Sequence, residues 1–127
     1  MLGDLTPVSF VPTIDVERAR SFYVDVLGLP VLEESPFALV LRSGGGVIRV
    51  TPVESHSPAG HTILGWTVSD MANMLRALTS LGVETLRFPW FEQDDQGVWT
   101  APGGAHVAWF HDPDGNTLSL TQPAPRS

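Results

Sequence analysis

All basic charge in this chain is carried by seven arginines, because lysine is absent, and so is cysteine. No lysine can form a Schiff base or act as a general base, and no thiolate can attack a substrate or hold zinc or an iron–sulfur cluster. Four histidines remain, at 56, 61, 106 and 111. None pairs with another at the H-x-H or H-x-x-x-H spacing of a metal site. His106 and His111 have opposite strand parity, so a regular strand turns them to opposite faces. His61 shares the parity of Ile63, two residues on. His61 and His106 are therefore the candidate general bases, and the histidines as a set read as rim or surface imidazoles. Glu54 and His56 fall in a polar linker. Glu92, Asp94 and Asp95 lack the spaced ligands and glycine of a calcium loop and read as a solvated acidic stretch. Nothing signals a nucleophile elbow, so no Ser-His-Asp set is read.

Two further features carry chemistry. The run Val47-Ile48-Arg49-Val50-Thr51 alternates, placing Arg49 with Val47 and Thr51 on one strand face. A part-buried guanidinium needs an anionic group. Either Arg49 recognises a carboxylate, phosphate or enolate oxygen of a ligand, or it pairs with an Asp or Glu of the chain or faces outward. The second feature is four tryptophans. Trp66 reads as core, and Trp109 lies on a strand. Trp90, Phe91 and Trp99 lie in or beside the long stretch 89–104. They either wall a flat apolar ligand, with indole N–H groups as donors, or pack the loop or a dimer interface. Tyr23, the only tyrosine, sits on a helical apolar stripe and reads as core.

The elements that must position these residues form an internal repeat. TIDVERARSFYVDVLGL (13–29) lies over TVSDMANMLRALTSLGV (67–83) at a constant offset of 54. Asp15 caps the first helix, Glu17 suits its positive end, and Gly28 stops it. Ser69 or Asp70 caps the second, Met71, Met74, Leu75 and Leu78 form its buried stripe, and Gly82 ends it. Strands are expected at 6–13, 30–34, 37–42 and 46–53, then at 61–68, 83–88, 105–111 and 116–121, with a short one at 98–101. Pro12 marks the first strand as an edge or a bulge. Gly44 to Gly46 make a hairpin, and Asp112-Pro113-Asp114-Gly115 the matching turn. Each half reads β-α-β-β-β. The expected fold class is α+β, with two such modules forming an open half-barrel around a concave ligand cleft, helices outside. The chain reads as one domain, with module one at about 6–53, a linker at 54–60 and module two at about 61–122.

Composition bounds the function. The chain has 127 residues, 43% of them apolar, which supports a core. The net charge of −7 with no basic run argues against nucleic acid or an anionic membrane as partner. MLGDLTPVSF, with an acid at Asp4 and no basic region, does not read as a signal peptide, and no apolar run approaches the ~20 residues that span a bilayer. A cytoplasmic location is expected.

The order D-x-x-x-A-x-x-F-Y-x-x-x-L-G-L from Asp15 to Leu29, with the closing DPDGN at 112–116, resembles the vicinal oxygen chelate superfamily of glyoxalases, bleomycin-resistance proteins and extradiol dioxygenases. The resemblance covers about 6 to 122. It implies the fold above and four cleft positions that hold a metal in the metal-dependent members. Those positions fall on Val8, Arg49, Ile63 and Ser119. None is a strong divalent-metal ligand, and arginine repels cations. The resemblance therefore implies a small-molecule-binding protein without the usual metal, with no cofactor, sequestering a drug or aromatic metabolite. Its expected ligand-binding residues are Val8, Arg49, His61, Ile63, Trp90, Phe91, Trp99 and Ser119. The alternative is a lyase, isomerase or dioxygenase with displaced metal ligands, or a metal-free one in which Arg49 stabilises an enolate-like oxyanion. Family modules commonly pair between chains, so a homodimer is expected.

Overall fold

In the first repeat, Thr13 ends a strand and turns the chain into a helix. Its hydroxyl donates to Asp15 O at 3.0 Å and accepts from Asp15 N at 3.1 Å, while the Asp15 carboxylate accepts from Arg18 N at 3.1 Å. This corner belongs to a computed structural model that describes residues 1–125. The chain divides into two compact units, one of residues 1–58 and one from residue 59 onward.

The first unit runs β1 (Val8–Thr13), α1 (Val16–Arg20), β2 (Val31–Ser35), β3 (Ala38–Ser43) and β4 (Gly46–Pro52). Its sheet order is β1-β4-β3-β2, with β1 parallel to β4 and the other pairs antiparallel. β1 is an edge strand, as Pro12 predicts. The helix does not stay α-helical to its end. From Ser21 to Val26 it widens into a π-helix, and Leu27 N bonds to Phe22 O at 2.9 Å. Such a widening shifts the side-chain phase by about one residue. Here it delivers Tyr23 to the core, where it meets Phe22 edge-on at 5.1 Å. Gly28, at φ +76°, closes the helix as expected. Val11, Leu39, Leu41, Ile48 and Val50 are buried on the same sheet face, with Ala19 and Tyr23 buried from the helix.

The second unit runs β5 (Thr62–Thr67), α2 (Met71–Ser80), β6 (Trp99–Thr100), β7 (His106–His111) and β8 (Thr117–Gln122). Its order, β5-β8-β7-β6, repeats the first, with β5 parallel to β8. Asp70 caps α2 by accepting from Asn73 N at 3.1 Å, and Gln122 Oε1 accepts from Met71 N at 2.7 Å. Met71, Leu75 and Leu78 are buried, but Met74 is 41% exposed, so the expected four-residue stripe is three residues wide. Both units are α+β with mixed four-stranded sheets, as the repeat implies.

One expected strand is not formed. Residues 83–88 make a single bridge, Thr85 to Phe110, and Leu86 N bonds to Trp109 O at 2.8 Å. The fourth strand is the short Trp99–Thr100 pair, bound to Val107 and His106. The outer edge of β7 is thus shared by two segments, and the first leaves it after Leu86, with Phe88 N bonded to Gln93 Oε1 instead and Pro89 lacking an N–H for a ladder.

Candidate functional site: the aromatic face of the second unit

Cross-strand partners share a sheet face, so the register assigns the face that carries Ser119. Trp109 is one partner of Ser119 and Gly65 the other. The next row holds Trp99, Val107, Thr121 and Thr67. Ser119 is nine-tenths buried. A Cβ on Gly65 would lie 2.9 Å from Ser119 Oγ, so only glycine leaves that hydroxyl its place.

The aromatic residues singled out in 89–104 converge on this face. Phe91 lies nearly parallel to Trp109, centroids 5.2 Å apart, and stacks on Trp99 at 4.4 Å. Trp99 and Trp109 are 6.2 Å apart. Phe88 meets Trp109 edge-on at 5.2 Å and carries Trp90 at 5.2 Å on its other side. Five rings form one cluster, with Trp90 outermost and 70% exposed. Phe88 and Trp109 are members that the sequence did not mark as ligand-facing.

The loop that brings these rings in is ordered by polar groups, while Glu92, Asp94 and Asp95 stay exposed to solvent as its acidic composition suggests. Asp94 Oδ1 accepts from Gln96 N and Val98 N at 2.9 and 2.8 Å. Arg87 donates to Asp94 O and Asp95 O at 2.6 and 2.8 Å. Beside Trp99 the loop leaves an open groove of about 480 Å³, lined by Glu92, Gln93, Asp94, Thr100 and His106 among others.

The other expected site residues fall elsewhere. Ile63 sits in a bulge between Thr62 and Leu64, so Gly65 rather than Ile63 is the neighbour of Ser119. In the first unit Val8 pairs with Val47, while Phe10 pairs with Arg49. Phe10 and Gly65 each stand five residues before the capping aspartate of their repeat. A count of seven reaches Val8, on the same face as Arg49 but one row away, and Ile63, in the bulge. Arg49 is half-buried, on a face with the exposed Phe10 and with Val40, and it makes no ion pair among the described residues. His61 is exposed in the bend before β5. His106 Nδ1 lies 3.0 Å from Thr100 Oγ1 on the face opposite Trp109. Neither imidazole is brought onto the Ser119 face.

A divalent metal of the kind the fold hosts does not fit this donor set. In the first unit Val8, Phe10 and Arg49 offer only a cation, and in the second Ile63, Gly65 and Ser119 offer only a hydroxyl. Among the described residues no group of three or more His, Asp or Glu is placed to hold a metal ion.

The family model for the Glyoxalase/Bleomycin resistance protein/Dioxygenase superfamily matches residues 6–120. Among curated proteins none matches the sequence. Solved structures match over nearly their whole length. A superfamily member from Sphaerobacter thermophilus is 21% identical at a TM-score of 0.74, with 97% of this chain and 100% of that one covered. A lactoylglutathione lyase from Agrobacterium tumefaciens is 17% identical at 0.71, with 96% of each chain covered. An antibiotic binding protein from Streptomyces sp. CB03234 is 23% identical at 0.70, with 98% of this chain and 99% of that one covered. At these identities the likeness is one of fold.

Proposed function

The chain belongs to the Glyoxalase/Bleomycin resistance protein/Dioxygenase superfamily, and from that premise we propose that it is a small-molecule-binding protein whose ligand, a drug or an aromatic metabolite, lies flat against the ring cluster of the second unit. The observation that carries this is Trp90. Its indole rests on Phe88 at the end of a five-ring cluster and leaves 70% of the residue to solvent. A soluble domain gains nothing by keeping so large an apolar surface wet unless something covers it. A similar fold in an antibiotic binding protein supports the class of function. A cytoplasmic homodimer is part of the same reading, and no helix among the described residues is long and apolar enough to cross a membrane.

A second reading rests on Arg49. A half-buried guanidinium without an ion pair, beside Phe10, is suited to an anionic ligand group or to a developing oxyanion. It would make the protein a metal-free enzyme.

One experiment separates the two. A panel of aromatic compounds, neutral and anionic, is titrated while tryptophan fluorescence is followed, and each compound that binds is checked for turnover. On the binding reading, Trp90→Ala weakens a neutral aromatic by about tenfold, the value of one lost ring contact of ~1.4 kcal/mol. Arg49→Ala leaves that affinity unchanged, and the bound compound is recovered intact. Turnover that Arg49→Ala abolishes overturns the binding reading in favour of the enzyme.

A further inference from the structure

Three of the five rings, Phe88, Trp90 and Phe91, lie on a loop that leaves β7 after Leu86 and returns at Trp99. Phe88 N, Leu86 O and Gly97 O lie at the two ends of that loop, and a ladder strand is not there to bond them. One side chain bonds all three. Gln93 Oε1 accepts from Phe88 N at 2.8 Å, and Gln93 Nε2 donates to Leu86 O and to Gly97 O, each at 2.8 Å. Both amide hydrogens are used. Gln93 also bridges Trp99 through its backbone, so the residue that ties the loop shut is in register with one of the rings.

The geometry points to Gln93 as the positioning residue of the ring cluster. It sets Phe91 against Trp99 and Trp109 by closing the loop, and its side-chain amide is spent on backbone groups although the residue also borders the groove beside Trp99. The consequence for binding rests on the reading of the cluster as the ligand wall. The geometric part does not. The requirement is for an amide. A carboxylate in the same place accepts from Phe88 N but turns oxygen toward two carbonyls. A thioether of similar length offers Phe88 N only a weak acceptor and donates to neither carbonyl. Arg87 and Asp94 hold the outer part of the loop, residues 94–98, and do not reach Phe88 N or Gly97 O.

The test compares Gln93→Glu and Gln93→Met with wild type and with Leu75→Val, a destabilised control in the core of α2. Two readouts are taken on folded protein: the coupled indole circular-dichroism signal of Trp99 and Trp109, and the titration of 2-naphthol followed by tryptophan fluorescence. Both Gln93 variants lose at least half of the indole signal and bind 2-naphthol about tenfold or more weakly, while Leu75→Val keeps both. An indole signal of wild-type size in both Gln93 variants overturns the inference. A wild type that shows the signal but binds no aromatic compound, with the signal still lost in the variants, overturns the binding function and leaves the positioning role intact. If neither variant folds, amide exchange in wild type decides. Phe88 N–H is expected to be as protected as the β7 amides, and fast exchange there overturns the inference.

Discussion

Asp112 shows how much one side chain decides in this chain. Its carboxylate accepts from Asp114 N and Asn116 N at 2.9 Å each and from Asn116 Nδ2 at 2.8 Å, and it is buried with Asn116. Asp112→Ala strands buried donors of Asn116. Each such loss costs about 1–3 kcal/mol, so about 3 kcal/mol in total is expected. Urea unfolding with an unchanged slope and a lowered midpoint checks it, and a midpoint within error of wild type would show that water replaces the carboxylate. Asp112→Asn keeps one carbonyl acceptor and is expected to cost less. The turn and its aspartate were legible as D-P-D-G, because proline and glycine preset it. The partner of Ser119 was not. The bulge at Ile63 adds a residue to β5, and nothing in TILGWT announces it. The site slots were counted seven residues back from the helix caps and fell on Val8 and Ile63, whereas the register partners of Arg49 and Ser119, Phe10 and Gly65, stand five residues back.

Among elements, the least legible was the outer edge of β7. VETLRF has the composition of a strand, and in isolation the pattern is sound. The competing event lies eleven residues along, where Thr85 Oγ1 donates to Gln96 O at 2.8 Å and the loop packs onto it at Gly97. A Cβ at Gly97 would stand 2.8 Å from Thr85 Cβ and closer still to its hydroxyl, and Gly97 has φ +87°. Only glycine allows the two segments to share the edge. Gly97→Ala is therefore expected to cost about 2–4 kcal/mol, from the left-handed backbone and the overlap together. The loss should be local. Protection falls first at Val98 and Asp94, and tryptophan emission moves to the red as the rings open, before α2 or β5 loosens. Unfolding in one step at a lowered midpoint, with no earlier emission change, would show that the insertion is no separate unit. The helices were legible because their caps are local: Asp15 and Asp70 act within three residues. The π-helix was not, since its cause is the fit of Tyr23 in the core.

At the scale of the whole molecule, the exposed large apolar residues are unevenly placed. Of twelve among the described residues, nine fall within residues 1–37: Met1, Leu2, Leu5, Val8, Phe10, Ile14, Val31, Leu32 and Phe37. β1 and β2, which supply four of them, are the two edges of the first sheet. Unpaired apolar edges favour association, and a second copy of the chain is the partner always present. Against it stands charge. Each chain carries −7, so two repel each other across any interface with few bases. The two effects respond oppositely to salt, because screening weakens repulsion and leaves apolar burial in place. Sedimentation equilibrium at micromolar concentration should therefore give twice 13.7 kDa, with a dissociation constant that falls as sodium chloride rises from about 0.05 to 0.5 M. Arginine–carboxylate pairing across the interface would give the reverse slope and shift the interface away from the apolar edges. A monomer at every salt concentration would mean that the surface around Phe10 is kept open for something else, and the anionic ligand of Arg49, its register partner, would then be the first thing to look for.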